Sequence, residues 1–158
     1  MSVFIRELKK NVWINIIVNI LLNAGICYLL NRSRRDIAIA PDVLIDFLIT
    51  AACIGLIIFP IVRLALPGKI RSGMLPVDTD KIPCLSIAKK FSRSNWLAAV
   101  ESALLLFPVA LMLYAACLPL GSLSLPSFVV CKGIVSGIIA IPATILPWAY
   151  VAARALSY

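Results

Sequence analysis

Val12-Trp13-Ile14-Asn15-Ile16-Ile17-Val18-Asn19-Ile20-Leu21-Leu22-Asn23-Ala24-Gly25-Ile26-Cys27-Tyr28-Leu29-Leu30 is an apolar run whose polar members are three asparagines. Its length matches the roughly 20 residues that an α-helix needs to cross a hydrocarbon core. Arg6, Lys9 and Lys10 precede it, and Asn31-Arg32-Ser33-Arg34-Arg35 follows. The apolar centre of a secretory signal is about 7–15 residues long and ends on small residues, whereas this run ends on Tyr28-Leu29-Leu30. It reads as a retained transmembrane helix.

Three more runs have the same character. The second opens at Pro41, a favoured first helical position, and continues to Leu66, where Pro67-Gly68 is expected to stop it. Ser94 is placed to cap a third run from Asn95 to Leu118. A tight, uncharged turn, Pro119-Leu120-Gly121 with Ser122, Ser124 and Pro126, leads into a fourth from Ser127 to about Ala153. The chain has 158 residues, 62% hydrophobic and 14% charged, with a mean hydropathy of +1.03. A soluble domain carries about a quarter charged residues, so the expected solvent is bilayer. The fold class that follows is all-α, a polytopic membrane protein of four transmembrane helices in a single membrane domain. Hairpin one covers about 11–67, a linker about 68–93, and hairpin two about 94–156. Within the linker a short amphipathic segment is expected around Leu85 to Phe91.

The same composition removes several activities. There are no histidines, so the commonest base near neutral pH and the commonest metal ligand are absent. Cys27, Cys53, Cys84, Cys117 and Cys131 form no CxxC pair and no zinc spacing, and they read as small apolar fillers. Cys27, Cys117 and Cys131 fall near one membrane face, which leaves a single bridge there open. The net charge of +8 lies beside apolar segments and not along an exposed face, so nucleic acid is not an expected partner. No nucleophile, base and oxyanion donor assemble from the motifs, so no enzyme, cofactor or metal is expected.

Topology follows from the basic residues, since cytoplasmic loops carry the excess. An inside N-terminus puts Arg6, Lys9, Lys10, Arg63, Lys69, Arg71, Lys81, Lys89, Lys90, Arg93 and Arg154 on the cytoplasmic side. The outer side then receives Arg32, Arg34 and Arg35, with Lys132 a little inside the membrane. Both termini are expected in the cytoplasm of a bacterium, with the chain in its inner membrane.

Trp13 matches Trp96 early in each half, and Phe59-Pro60-Ile61-Val62-Arg63-Leu64-Ala65-Leu66 is echoed by Leu146-Pro147 through Val151-Ala152-Ala153-Arg154-Ala155-Leu156. Two-helix halves of this kind would be parallel repeats about an axis along the membrane normal. The aromatic-Pro step followed by a basic residue, Phe59-Pro60 with Arg63, resembles a small bacterial family of tandem two-helix membrane proteins of unknown function. That resemblance extends at most to the two hairpins and implies no activity.

Polar residues within the runs are the candidate site. Asn11, Asn15, Asn19 and Asn23 recur every fourth residue and form one slowly rotating stripe, either interhelical glue or the lining of a hydrated path. Asp46, with Asp42 and Thr50 at the same four-residue step, lies about one turn inside Pro41, and Lys132 about as far inside Pro126. Equal depth lets the two form an ion pair, the alternative being that each reaches the headgroups by itself. Glu101 lies nearly two turns inside Ser94, with Asn15, Asn19 or Arg63 as expected partners, Arg63 through an inner salt bridge. Gly133 and Gly137 form a small-xxx-small face suited to a close helix contact. Two functions fit: a small transport or permeation protein using Asn15, Asn19, Asn23, Asp46, Glu101 and Lys132, or a non-catalytic membrane partner, as an assembly or regulatory subunit. Besides the lipid bilayer, the expected partners are a second copy in a homo-oligomer or another membrane protein.

The charge bias makes a direct prediction about Cys84, which lies in the long linker. In intact cells it should resist a membrane-impermeant maleimide and react after the membrane is opened. Labelling from outside would reverse the topology.

Overall fold

The computed structural model describes residues 2–77 and 81–155, so Leu156, the last residue of the repeat echo and of hairpin two, lies outside the described residues. Helix α1 covers Val3–Asn31, α2 Pro41–Arg71, α3 Leu85–Ala88, α4 Asn95–Leu104, α5 Phe107–Cys117 and α6 Leu125–Ala155. Short strands β1, Asp36–Ala38, and β2, Ser122–Ser124, complete the described elements. Four spans, α1, α2, α4 through α5 to Leu120, and α6, are long and apolar enough to cross a membrane. The chain is thus an all-α integral membrane protein.

Several boundaries move from their sequence-based positions. Helix α1 begins at Val3, because Ser2 caps it by accepting the Ile5 N–H at 3.4 Å, and the first turns bury Phe4 and Leu8. Helix α2 runs through Pro67-Gly68 to Arg71, since a proline removes one N–H and leaves the others free to bond. It is closed off just beyond Arg71 by Ser72 and by Gly73, where φ of +74° suits glycine, and the Gly73 and Ser72 N–H groups reach the Ile70 and Gly68 carbonyls. Ser94 occupies the cap position of α4, but its side chain makes no capping bond. The third span is broken at Leu105-Leu106. Pro108 has no N–H for the Leu104 carbonyl and its ring crowds it, so Leu106 tightens onto Ala103 at 3.0 Å before the helix resumes. Pro60, Pro142 and Pro147 lie inside unbroken helices.

Helix α6 packs along both α1 and α2, and α2 packs in turn along α4 and α5. The hairpins therefore interlock, with the second helix of each half central and the first peripheral. Over their apolar windows, 44% and 56% of α2 and α6 is buried, against 6% and 22% of α1 and the third span. Close approach depends on small residues, as expected where lipid competes equally for apolar side chains. The buried face of α4 is Ala98, Ala99, Ser102 and Ala103. Gly133 and Gly137 of α6 receive Ile16 and Ile20 of α1.

At one end, β1 pairs antiparallel with β2, Ile37 opposite Leu123, and the Leu125 N–H donates to the Arg35 carbonyl at 2.9 Å. The loop expected as a simple turn is thus a short 3-10 turn at Leu118–Leu120, then Gly121 at φ +65°, then a strand joining the two halves. We call this the strand end and the opposite one the basic end. There the linker returns against the bundle, burying Leu75, Ile82, Ala88 and Phe91, and the amphipathic segment condenses to the four residues of α3.

Gly55 marks the tightest crossing. A Cβ there would meet Ala103 Cα at 2.9 Å and Ala103 Cβ at 3.0 Å, backbone and methyl atoms that cannot swing aside. Gly55→Ala is expected to destabilise the protein in detergent by about 1–3 kcal/mol. Gly25→Ala, which meets nothing within 4 Å, should leave the unfolding midpoint unchanged.

Candidate functional site

Lys132 projects from α6 into the α2 interface, where its side chain is 4% exposed. Its Nζ lies 2.5 Å from Asp46 Oδ2, donates to Thr50 Oγ1 at 2.6 Å and to the Asp46 carbonyl at 3.2 Å, and stands 5.1 Å from the Phe47 ring centre. Asp46 and Thr50 are one helical turn apart on α2, so one face presents both groups to the ammonium. Three acceptors serve its three donors, and the ring face adds a further favourable contact. The expected ion pair forms. It is lopsided: the Asp46 side chain is 49% exposed.

The asparagine stripe behaves differently from expectation. Asn11, Asn19 and Asn23 each donate Nδ2 to the carbonyl four residues earlier, at 2.8–3.0 Å, so their amides are served by their own helix. Asn15 is the one of the four whose amide crosses to α6, reaching Thr144 Oγ1 at 3.0 Å. Ser136 of α6 also donates to the Asn19 carbonyl, at 3.1 Å. The stripe does face α6, but most of the predicted interhelical amide bonds are replaced by local ones, which an asparagine can make without waiting for a neighbour.

Glu101 requires a correction. It is half-buried and its Oε2 accepts the Ser92 N–H at 2.7 Å, away from Asn15 and Asn19. Side chains on a helix point back toward its N-terminus, and the linker returns there. Moreover α2 and α6 stand between α4 and α1. Nor does Arg63 make the expected inner salt bridge: its Nε donates to Asn95 Oδ1 at 3.0 Å. The five cysteines are free. Cys117 and Cys131 bring their sulfurs to 3.6 Å, and no group of acids and thiols among the described residues is arranged to hold a metal.

A second polar region lies at the basic end and was not recognised as a unit in the sequence. A cavity of about 640 Å³ is lined by Arg63, Arg71, Arg93, Asn95, Tyr150 and Arg154, with Pro67, Ile70, Val151 and Ala155 as its apolar wall. Arg154 is held by Nη2 donating to the Phe91 and Ser92 carbonyls at 2.8 and 3.1 Å, and its guanidinium stands 5.1 Å from the Tyr150 ring centre. Tyr150 is buried and its hydroxyl lies 3.3–3.4 Å from the Ser92 and Arg93 carbonyls and Asn95 Oδ1. A second cavity of about 300 Å³ opens at the same end beside Glu7, Asn11, Lys69 and Trp148. The signal available in the sequence was positional, since all four arginines sit at or beside the same end of the apolar runs.

Removing the Asp46 charge strands the buried Lys132 ammonium, whereas removing Lys132 leaves a half-exposed carboxylate. Asp46→Asn alone is expected to cost about 3–5 kcal/mol, the penalty for breaking a buried pair from one side. Asp46→Asn with Lys132→Met should lose clearly less than the sum of the single changes in equilibrium unfolding. Additivity within about 0.5 kcal/mol would show that the two side chains do not interact.

Comparison with known protein families, curated proteins and solved structures finds no match to this chain, so its function is read from this geometry.

Proposed function

We propose that this chain is a non-catalytic component of a bacterial inner membrane, an assembly or regulatory subunit, with its basic end and both termini in the cytoplasm. The observation that supports this over permeation is how the buried polar side chains are spent. Lys132 is closed by Asp46 and Thr50, Asn15 by Thr144, and Ser136 and Asn19 by main-chain carbonyls. Neither described cavity is lined by Asn15, Asn19, Asn23, Asp46, Glu101 or Lys132. A conducting path needs polar groups whose hydrogen-bonding capacity is left for the solute or for water. The outward face of α1, with Trp13, Ile17, Leu21 and Leu22 exposed, is the natural surface for a partner helix or a second copy. The resemblance to tandem two-helix membrane proteins, carried by Phe59-Pro60 and Arg63, is compatible with such a role.

Proteoliposomes containing the purified chain should pass protons and monovalent cations no faster than protein-free vesicles. In native membranes, cross-linking from a photoreactive residue at position 17 or 21 should capture one protein, or a second copy, at fixed stoichiometry. A flux abolished by Lys132→Met would sink this reading and favour permeation, which draws on the half-exposed Asp46 carboxylate as its entry.

A further inference from the structure

The four arginines of the basic-end cavity converge from three separate parts of the chain: Arg63 and Arg71 from α2, Arg93 from the linker, and Arg154 from the end of α6. Like charges gathered in one concavity repel, and the usual remedy is an interleaved carboxylate. Among the described residues none lines this cavity. Among the described residues, none of the four guanidinium groups has a carboxylate within salt-bridge distance. Glu101, which touches the same segment, accepts the Ser92 N–H with its carboxylate and makes no ion pair with these arginines. The acceptors that do reach the arginines, the Asn95 amide oxygen and the Phe91 and Ser92 carbonyls, satisfy donors without supplying negative charge. Arg154 Nε is buried with no partner. The first turn of α4 opens at Asn95 with no side-chain cap, adding the positive end of a helix on the same side.

We propose that this cavity binds a phosphate-bearing anion, as the phosphate of an anionic phospholipid headgroup from the adjoining leaflet. Guanidinium groups match phosphate oxygens in planar, paired hydrogen bonds, and several of them share the charge of one phosphate. The volume of about 640 Å³ exceeds what a lone inorganic ion fills and lies in the range of sites for larger ligands. Pro67, Ile70, Val151 and Ala155 line the same cavity and give a glycerol backbone and the first acyl carbons an apolar surface. Arg63 lies two turns above Arg71 on α2, so the charges extend along the membrane normal over about 12 Å, the depth of a headgroup region. Basic pockets between transmembrane helices are a recurrent way of holding acidic headgroups. The site is independent of whether the bundle serves as a subunit or as a permeation path.

The test uses the full chain in nanodiscs of zwitterionic phosphatidylcholine, with thermal stability and native mass spectrometry as readouts. Titration with dioctanoyl phosphatidic acid is expected to raise Tm and to give a one-to-one adduct. Arg71→Gln and Arg93→Gln, whose side chains are exposed and make no described hydrogen bond, should each weaken that binding about tenfold, the loss of one charge-assisted contact. Arg32→Gln, at the strand end, should leave it unchanged. Inorganic phosphate is titrated in parallel. Protection by the lipid, and not by phosphate at equal concentration, identifies a headgroup. Equal protection by both, with the same dependence on Arg71 and Arg93, keeps the phosphate site and assigns it a soluble ligand. Stabilisation that is the same in Arg71→Gln, Arg93→Gln and Arg32→Gln, or none at all, would overturn the site in favour of diffuse attraction to an acidic surface.

Discussion

An ammonium group carried on the central helix of an apolar bundle tolerates few arrangements. A lysine costs about 2.5–3.5 kcal/mol at the centre of a membrane helix on insertion scales and less toward its ends, where the side chain can reach water. Lys132 is 4% exposed, so its cost is met locally by Asp46, Thr50 and the Phe47 ring, all from one face of α2. Those contacts fix the rotation of α2 about its axis and its register against α6. The two helices carrying these groups are the two at the centre of the bundle, so the arrangement of the peripheral spans follows from theirs.

Outward from that pair, the remaining contacts are made by small residues and by backbone. Glycines on α6 admit the isoleucines of α1, and Gly55 on α2 admits Ala103 of α4. A large side chain at any of these points would separate helices that have no hydrophobic incentive to stay together in lipid. The strand pair then closes one end by tying the loop after α1 to the loop before α6. At the other end, Tyr150 stands between Phe59 and Phe91, and Phe4 meets Trp148 edge-on. Both ends thus link the two halves of the chain, which explains how hairpins whose own helices are poorly packed remain one domain.

The polar groups divide into those that are spent and those that are not. The Asn19 and Asn23 amides take the carbonyl of the preceding turn, Asn15 takes Thr144, and Glu101 takes an N–H of the returning linker. At the basic end Arg63 and Arg154 have acceptors, Arg71 and Arg93 have none, and none of the four has a counter-charge among the described residues, a difference that separates an internal fastening from a place where something else binds.

The sequence alone determined the number of spans, because twenty apolar residues in succession have one stable solution in each solvent and the charge density ruled out water. It also put Asp46 and Lys132 at one depth, since depth along a membrane helix is readable from residue count, but left open whether they pair or each reaches the headgroups; the structure decided for the pair. Depth is one coordinate. The lateral order of helices is another, and nothing in hydropathy encodes it. Glu101 was assigned to Asn15 and Asn19 by depth alone, whereas the tertiary structure places α2 and α6 between them. The β1–β2 pair was missed because three-residue strands are too short for an alternating pattern. The break at Leu105-Leu106 was foreshadowed by Pro108, yet Pro60, Pro142 and Pro147 carry the same signal in unbroken helices. Whether a proline bends or breaks a helix depends on what its neighbours can accept. The arginine cavity exists because three distant segments end at the same membrane boundary, and only folding brings their side chains around one space.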